Sequence, residues 1–194
     1  MSVSRKKFWM WARWVGTFVG FPLAGVAARA VAGDIDAVGA AALGGLIGGA
    51  VLGAVQAGIG GIHRGERVRW IAATSAGLAV GLAVGAAAVG YRTDTASLVV
   101  MGAFSGAGVG IAQAVSVPMR SVDRILWALS TPVLWAAGWL ITSQVIVDAE
   151  RQHAIFGASG ALLVSAVAGV AYAARELPSA SVAGIAASSD RVAA

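Results

Sequence analysis

Residues 45–81, GLIGGAVLGAVQAGIGGIHRGERVRWIAATSAGLAVG, return 57 positions later as residues 102–138, GAFSGAGVGIAQAVSVPMRSVDRILWALSTPVLWAAG. Gly45, Gly49, Gly53, Gln56, Arg67, Trp70, Thr74 and Gly81 recur as Gly102, Gly106, Gly110, Gln113, Arg124, Trp127, Thr131 and Gly138. One offset shared by these pairs, across two apolar stretches and the loop between them, marks a duplicated unit. A repeat outranks any element-by-element reading. The unit reads as a two-helix hairpin with a basic loop.

The pattern extends outward from these two copies. Thr17 and Gly20 precede Thr74 and Gly77 by the same 57 residues, with Ala24 in the place of Gly81. Gly157, Ala161 and Ser165 match Gly102, Gly106 and Gly110 if the last outer loop is two residues shorter. Ala168 then stands where the other copies carry glutamine. Three copies are expected. An even number of helices per copy gives every copy one orientation, so these are parallel repeats about a pseudo-threefold axis along the membrane normal, not inverted ones.

Composition sets the solvent. Of 194 residues, 58% are apolar and 12% charged, and mean hydropathy is +0.81; a soluble domain is about a quarter charged. Uncharged runs of about 20 residues suffice to cross a bilayer. They are expected at 13–33, 37–62, 70–91, 95–119, 125–147 and 152–174, which makes 1–175 a six-helix membrane domain and 176–194 a flexible cytoplasmic tail. In hydrocarbon every peptide group must be satisfied internally, which selects helices, and the alternation of a membrane barrel is absent. The expected fold class is therefore an all-α integral membrane protein. The basic, then apolar, N-terminus reads as an uncleaved first span because its apolar run continues too far for a signal peptide.

Charge sets the orientation. The N-terminus (Arg5, Lys6, Lys7, Arg13), the loops at Arg64–Arg69 and Arg120–Arg124, and the C-terminus (Arg175, Arg191) hold 11 of the 14 Lys and Arg. Positive-inside places both termini in the cytoplasm of a cell membrane crossed several times. Trp9, Trp11, Trp14, Trp70 and Trp127 then fall at the cytoplasmic interface, where an aromatic belt is expected.

Small residues at four-residue spacing form one helical face each: Gly45, Gly49 and Gly53; Gly77, Gly81 and Gly85; Gly102, Gly106 and Gly110; and Gly157 with Ala161, Ser165 and Gly169. Such faces let helix backbones approach closely. Gln56 and Gln113 lie on the same faces as their glycines and need partners there. Two readings stand for them, interhelical hydrogen bonds or the lining of a polar path. Thr17, Thr74 and Thr131 either line a constriction about the axis or bond back to their own helix carbonyls.

The outer loops carry Asp34, Asp36, Asp94, Asp148 and Glu150 against Arg29, Arg92 and Arg151. These acids read either as helix caps or as a cation vestibule. His63 and His153 fall at opposite faces and cannot share a metal. With no cysteine, no nucleophile constellation and no strand–turn–helix nucleotide motif, no catalytic residue, metal or cofactor is expected. The basic residues sit in topology-setting loops, which argues against nucleic acid as a partner.

The segments GAVLGAVQ…RVRW…T at residues 49–74 and GVGIAQA…DRILW…T at residues 108–131 resemble a loose group of small bacterial membrane proteins with repeated Gly-rich hairpins. Their pattern is GxxxGxxxQW followed by a basic loop and W…T…G. This chain departs from it at Ala57 and Ala114, where the pattern places tryptophan. The resemblance implies the architecture and no activity.

Three functional classes follow. The first is a structural or assembly subunit that docks through its glycine faces onto a second copy or another membrane protein. The second is a channel or transporter for a small solute or ion, lined by Gln56, Gln113, Thr17, Thr74 and Thr131. The third and least favoured is a membrane enzyme. A docking subunit requires a glycine face left open to lipid. A conduit requires that Gln56 and Gln113 not be sealed together in a dry core.

Overall fold

The computed structural model describes residues 3–145 and 158–175. Gly157, Asp148, Glu150, Arg151, His153 and the tail 176–194 lie outside the described residues. Helix α1 (Val3–Gly16), a single 3-10 turn (Thr17–Val19) and α2 (Gly20–Ala32) form one run. Then come α3 (Val38–Ile59), α4 (Arg67–Ala88), which follows a second 3-10 turn (Arg64–Glu66), α5 (Thr95–Ser116), α6 (Ser121–Val145) and α7 (Ala158–Arg175). No strand occurs among the described residues.

Five helices are long and apolar enough to cross a membrane: Ser4–Ala32, Val38–Ile59, Arg64–Ala88, Thr95–Ser116 and Ser121–Gln144. They mark the chain as a multi-pass membrane protein. Six such spans were expected; the sixth, 152–174, lies partly outside the described residues, and the first begins earlier than expected. The apolar part of α7, Gly160–Ala173, falls short of spanning length among the described residues. The first span begins at Ser4 rather than at residue 13, because nothing in the basic, aromatic segment before it breaks a helix.

Pro22 sits in the first turn of α2, just after the 3-10 turn. Proline lacks the N–H that would bond the carbonyl four residues back, and the chain tightens to three residues per turn at that point.

Each helix packs on the next, α2 on α3 through α6 on α7, and α7 returns to α1. The described helices thus form a closed ring in chain order. Glycine makes the seams. A Cβ on Gly49 would come within 2.6 Å of Ser75 Cα on α4, and one on Gly81 within 2.5 Å of Phe104 O on α5. A Cβ on Gly106 would meet Pro132 Cα of α6 at 2.8 Å. Backbones this close recover dispersion contacts that lipid would otherwise supply. The outer surface exposes Val68, Val115, Leu129 and Val133, as a lipid-facing surface should.

The basic end is tied by guanidinium groups to carbonyls at helix ends and in the loop after α3. Arg13 Nε donates to Ile59 O at 2.9 Å, Arg67 Nε to Ile62 O at 3.2 Å, and Arg124 Nε to Ala114 O at 3.1 Å. Arg13 and Arg124 thereby satisfy orphan carbonyls in the last turns of α3 and α5. At the opposite end Arg29 pairs with Asp34 at 3.0 Å. Asp94 caps α5, accepting from Ser97 Oγ at 2.6 Å and Ser97 N at 3.1 Å. The hydroxyl donor first, then the backbone N–H, with the charge of Arg92 adding, hold the Asp94 carboxyl below the ordinary carboxylate range.

Candidate functional site: a buried amide and indole layer

Gln56 on α3 and Gln113 on α5 meet inside the ring. Trp70 Nε1 donates to Gln56 Oε1 at 3.0 Å, and Trp127 Nε1 donates to Gln113 Oε1 at 3.1 Å. An indole N–H is only ever a donor, so each contact settles which end of the amide is oxygen. Gln113 Nε2 then spends both hydrogens, on Gln56 Oε1 at 3.1 Å and on Thr74 Oγ1 at 2.8 Å. Thr74 and Thr131 donate to Trp70 O and Trp127 O, four residues back in each case.

Trp14 joins the two indoles. Its ring centroid lies 6.0 Å from Trp70 and 5.6 Å from Trp127, and those two are 6.1 Å apart. Tyr172 of α7 stacks on Trp14 at 4.3 Å. Trp14 precedes Trp70 by 56 positions rather than 57, and the 3-10 turn absorbs the difference. Thr17 donates to Trp14 O three residues back, where its counterparts reach four. A 3-10 turn holds three residues where an α turn holds about 3.6.

This overturns part of the expected aromatic belt. Trp9 is exposed, but Trp14, Trp70 and Trp127 are 2%, 1% and 6% exposed and belong to the core. The signal was present in the repeat: Trp70 and Trp127 each lie 14 residues after a glutamine that needs a donor.

Two cavities adjoin this layer and a third lies beyond Phe21 and Trp135. At the basic end a vestibule of about 320 Å³ is walled by His63, Glu66, Trp70, Arg120, Asp123 and Tyr172. His63 and Arg120 stand 57 apart, as do Glu66 and Asp123, so the 57-residue offset recurs at this mouth, although Glu66 and Asp123 carry no expected role from sequence alone. Beside the amides, at the seam of α6 and α7, lies a cavity of about 30 Å³ bounded by Trp14, Gln56, Gln113, Thr131, Ser165 and Ala168. Toward the opposite end a largely apolar cavity of about 110 Å³ lies among α2 to α6, with Arg29, Tyr91 and Thr93 on its wall. Phe21 and Trp135, with rings 5.3 Å apart, border both the second and the third cavity. Ser105 is buried in the wall of the third.

The expected residues are therefore distributed as follows. Gln56, Gln113 and Thr74 share one hydrogen-bonded cluster; Thr131 borders the cavity beside it, and Thr17 is buried one turn from Trp14. Gly45, Gly49 and Gly53 face α4; Gly77, Gly81 and Gly85 face α5; Gly102, Gly106 and Gly110 face α6. The expectation of a glycine face left open for a partner is corrected for these three faces, because the chain's own next helix covers each. Gln56 and Gln113 do meet and are buried, and the adjoining cavity of about 30 Å³ exceeds the room one water needs, roughly 10–15 Å³.

No protein-family model, curated protein or solved structure matches the chain.

Proposed function

We propose that the chain is a closed conduit for a small uncharged polar solute, running through the ring of helices along the membrane normal. One observation carries this reading: three cavities follow one another, the middle and far ones sharing Phe21 and Trp135, the vestibule set off from the middle one by packed aromatic rings. Trp70 and Tyr172 border the vestibule, and Trp14, which touches both rings, borders the middle cavity. Phe21 and Trp135 separate the middle cavity from the far one. Aromatic side chains are the barriers. They can change rotamer without breaking a helix hydrogen bond, which a backbone barrier cannot do.

In this reading six helices form three parallel hairpins about a pseudo-threefold axis, with both termini cytoplasmic and the vestibule facing the cytoplasm. Gln56, Gln113 and Thr131 make the polar waist. The residues bounding the middle cavity carry no charge, so a bare ion would lose its hydration there without compensation. The lipid bilayer is the main partner. Docking through glycine faces is the weaker reading, because three of the four small-residue faces are covered by the chain's own next helix.

The test is permeability of reconstituted liposomes to urea and glycerol, read by stopped-flow light scattering. Removing the Phe21–Trp135 barrier with the double variant F21A/W135A is expected to raise solute flux at least several-fold over wild type. A double variant that is folded, reconstituted and no leakier than wild type would overturn the conduit.

A further inference from the structure

We infer that the cavity beside Gln56 is a water site that does the work of a missing third glutamine. In the two complete copies, the indole N–H donates to a glutamine oxygen one helix away. By the repeat, the partner for Trp14 belongs at position 168, and Ala168 lies on the cavity wall. Trp14 presents its pyrrole edge to that helix: Cδ1, the ring atom bonded to Nε1, lies 3.3 Å from the position of a Cβ on the neighbouring Gly169.

Both sides of the amide network are left short at this point. Trp14 Nε1 and Gln56 Nε2 donate to no described residue, and these side chains are 2% and 7% exposed. Gln113 Oε1 keeps an unused lone pair, and Thr131 Oγ1, which donates to Trp127 O, accepts from no described residue. The four residues that carry these two donors and two acceptors all line the cavity of about 30 Å³, together with Ser130 and the buried Ser165. Buried water needs two to four such partners and roughly this much room.

The mixture of donors and acceptors selects water over an ion. A cation would face two N–H donors and no carboxylate, and an anion would find no positive charge. Water, by contrast, donates to Gln113 and Thr131 while accepting from Trp14 and Gln56. The site does not depend on whether the axis ever conducts.

The test uses the full-length protein, 15N-labelled in perdeuterated detergent, with the three indole resonances assigned by the variants W14F, W70F and W127F. A water cross-peak is expected on the Trp14 indole N–H and not on those of Trp70 and Trp127. No cross-peak at Trp14, or equal ones at all three, would overturn the site. Ala168→Gln is expected to abolish the Trp14 cross-peak and raise Tm, whereas Ala168→Leu, similar in size but unable to hydrogen-bond, should lower it. If leucine stabilises as much as glutamine, the cavity is a dry packing defect and the proposal is wrong.

Discussion

The hairpins α3–α4 and α5–α6 carry the repeated unit entire; α7 with α1 carries it without the amide. In the first two, a glutamine takes up a tryptophan N–H, a threonine bonds back to the tryptophan carbonyl, and the next helix closes over glycine. In the third, Gly169 of α7 still lies against Trp11 and Trp14 of α1, but Ala168 leaves a cavity where the amide would sit. Seam and lock are therefore separable. Small residues bring the helices together, and glutamine fixes the polar interior.

The largest test breaks the seam common to all copies. Gly49→Leu or Gly106→Leu drives a side chain into the backbone of the neighbouring helix and should cost about 3 kcal/mol or more by overpacking. Gly58→Leu, on the same helix as Gly49 but with nothing within 4 Å of its Cβ position, should leave thermal unfolding in detergent almost unchanged. Equal tolerance at Gly49 and Gly58 would show that the seam does not hold the ring together.

A smaller test sharpens the contrast between the two complete copies. Gln113 takes part in three side-chain hydrogen bonds and Gln56 in two. Gln113→Leu should cost about 2–3 kcal/mol and Gln56→Leu about 1–2 kcal/mol, the range for orphaned buried groups tempered by a membrane reference state. Thermal unfolding followed by tryptophan fluorescence separates them, and a reversed order would mean that the amides are oriented otherwise.

The smallest effect compares the caps at the far end. Asp94 caps α5, while its counterpart Ala37, 57 residues earlier, caps α3 without a side-chain bond. Because the folded carboxyl titrates below its unfolded value, its contribution is complete above the ordinary aspartate pKa of about 4. It is lost as pH falls through the lowered folded value. Amide exchange in the first turn of α5 should quicken on acidification while that of α3 does not, and parallel behaviour would remove Asp94 from the account.

Much of this was legible in the chain. The 57-residue offset located both hairpins, and the four-residue glycine spacing located the faces that pack. The glutamines could be placed on a packed face because angular position follows from sequence spacing. Two things were not legible. Trp14, Trp70 and Trp127 resembled interfacial anchors because an indole suits either a headgroup layer or a buried acceptor. Glu66 and Asp123 sat in plain view at the repeat offset, but only folding turns their loops toward one mouth.

By itself the sequence determined the apolar solvent, the helical class and the 57-residue recurrence, since composition, run length and spacing can be read without knowing the fold. Tertiary structure alone decided which glycine face meets which helix and which glutamine meets which indole. It also decided that Ala168 borders a cavity and not lipid. Those outcomes join residues tens of positions apart, and their energies exist only once the ring has closed.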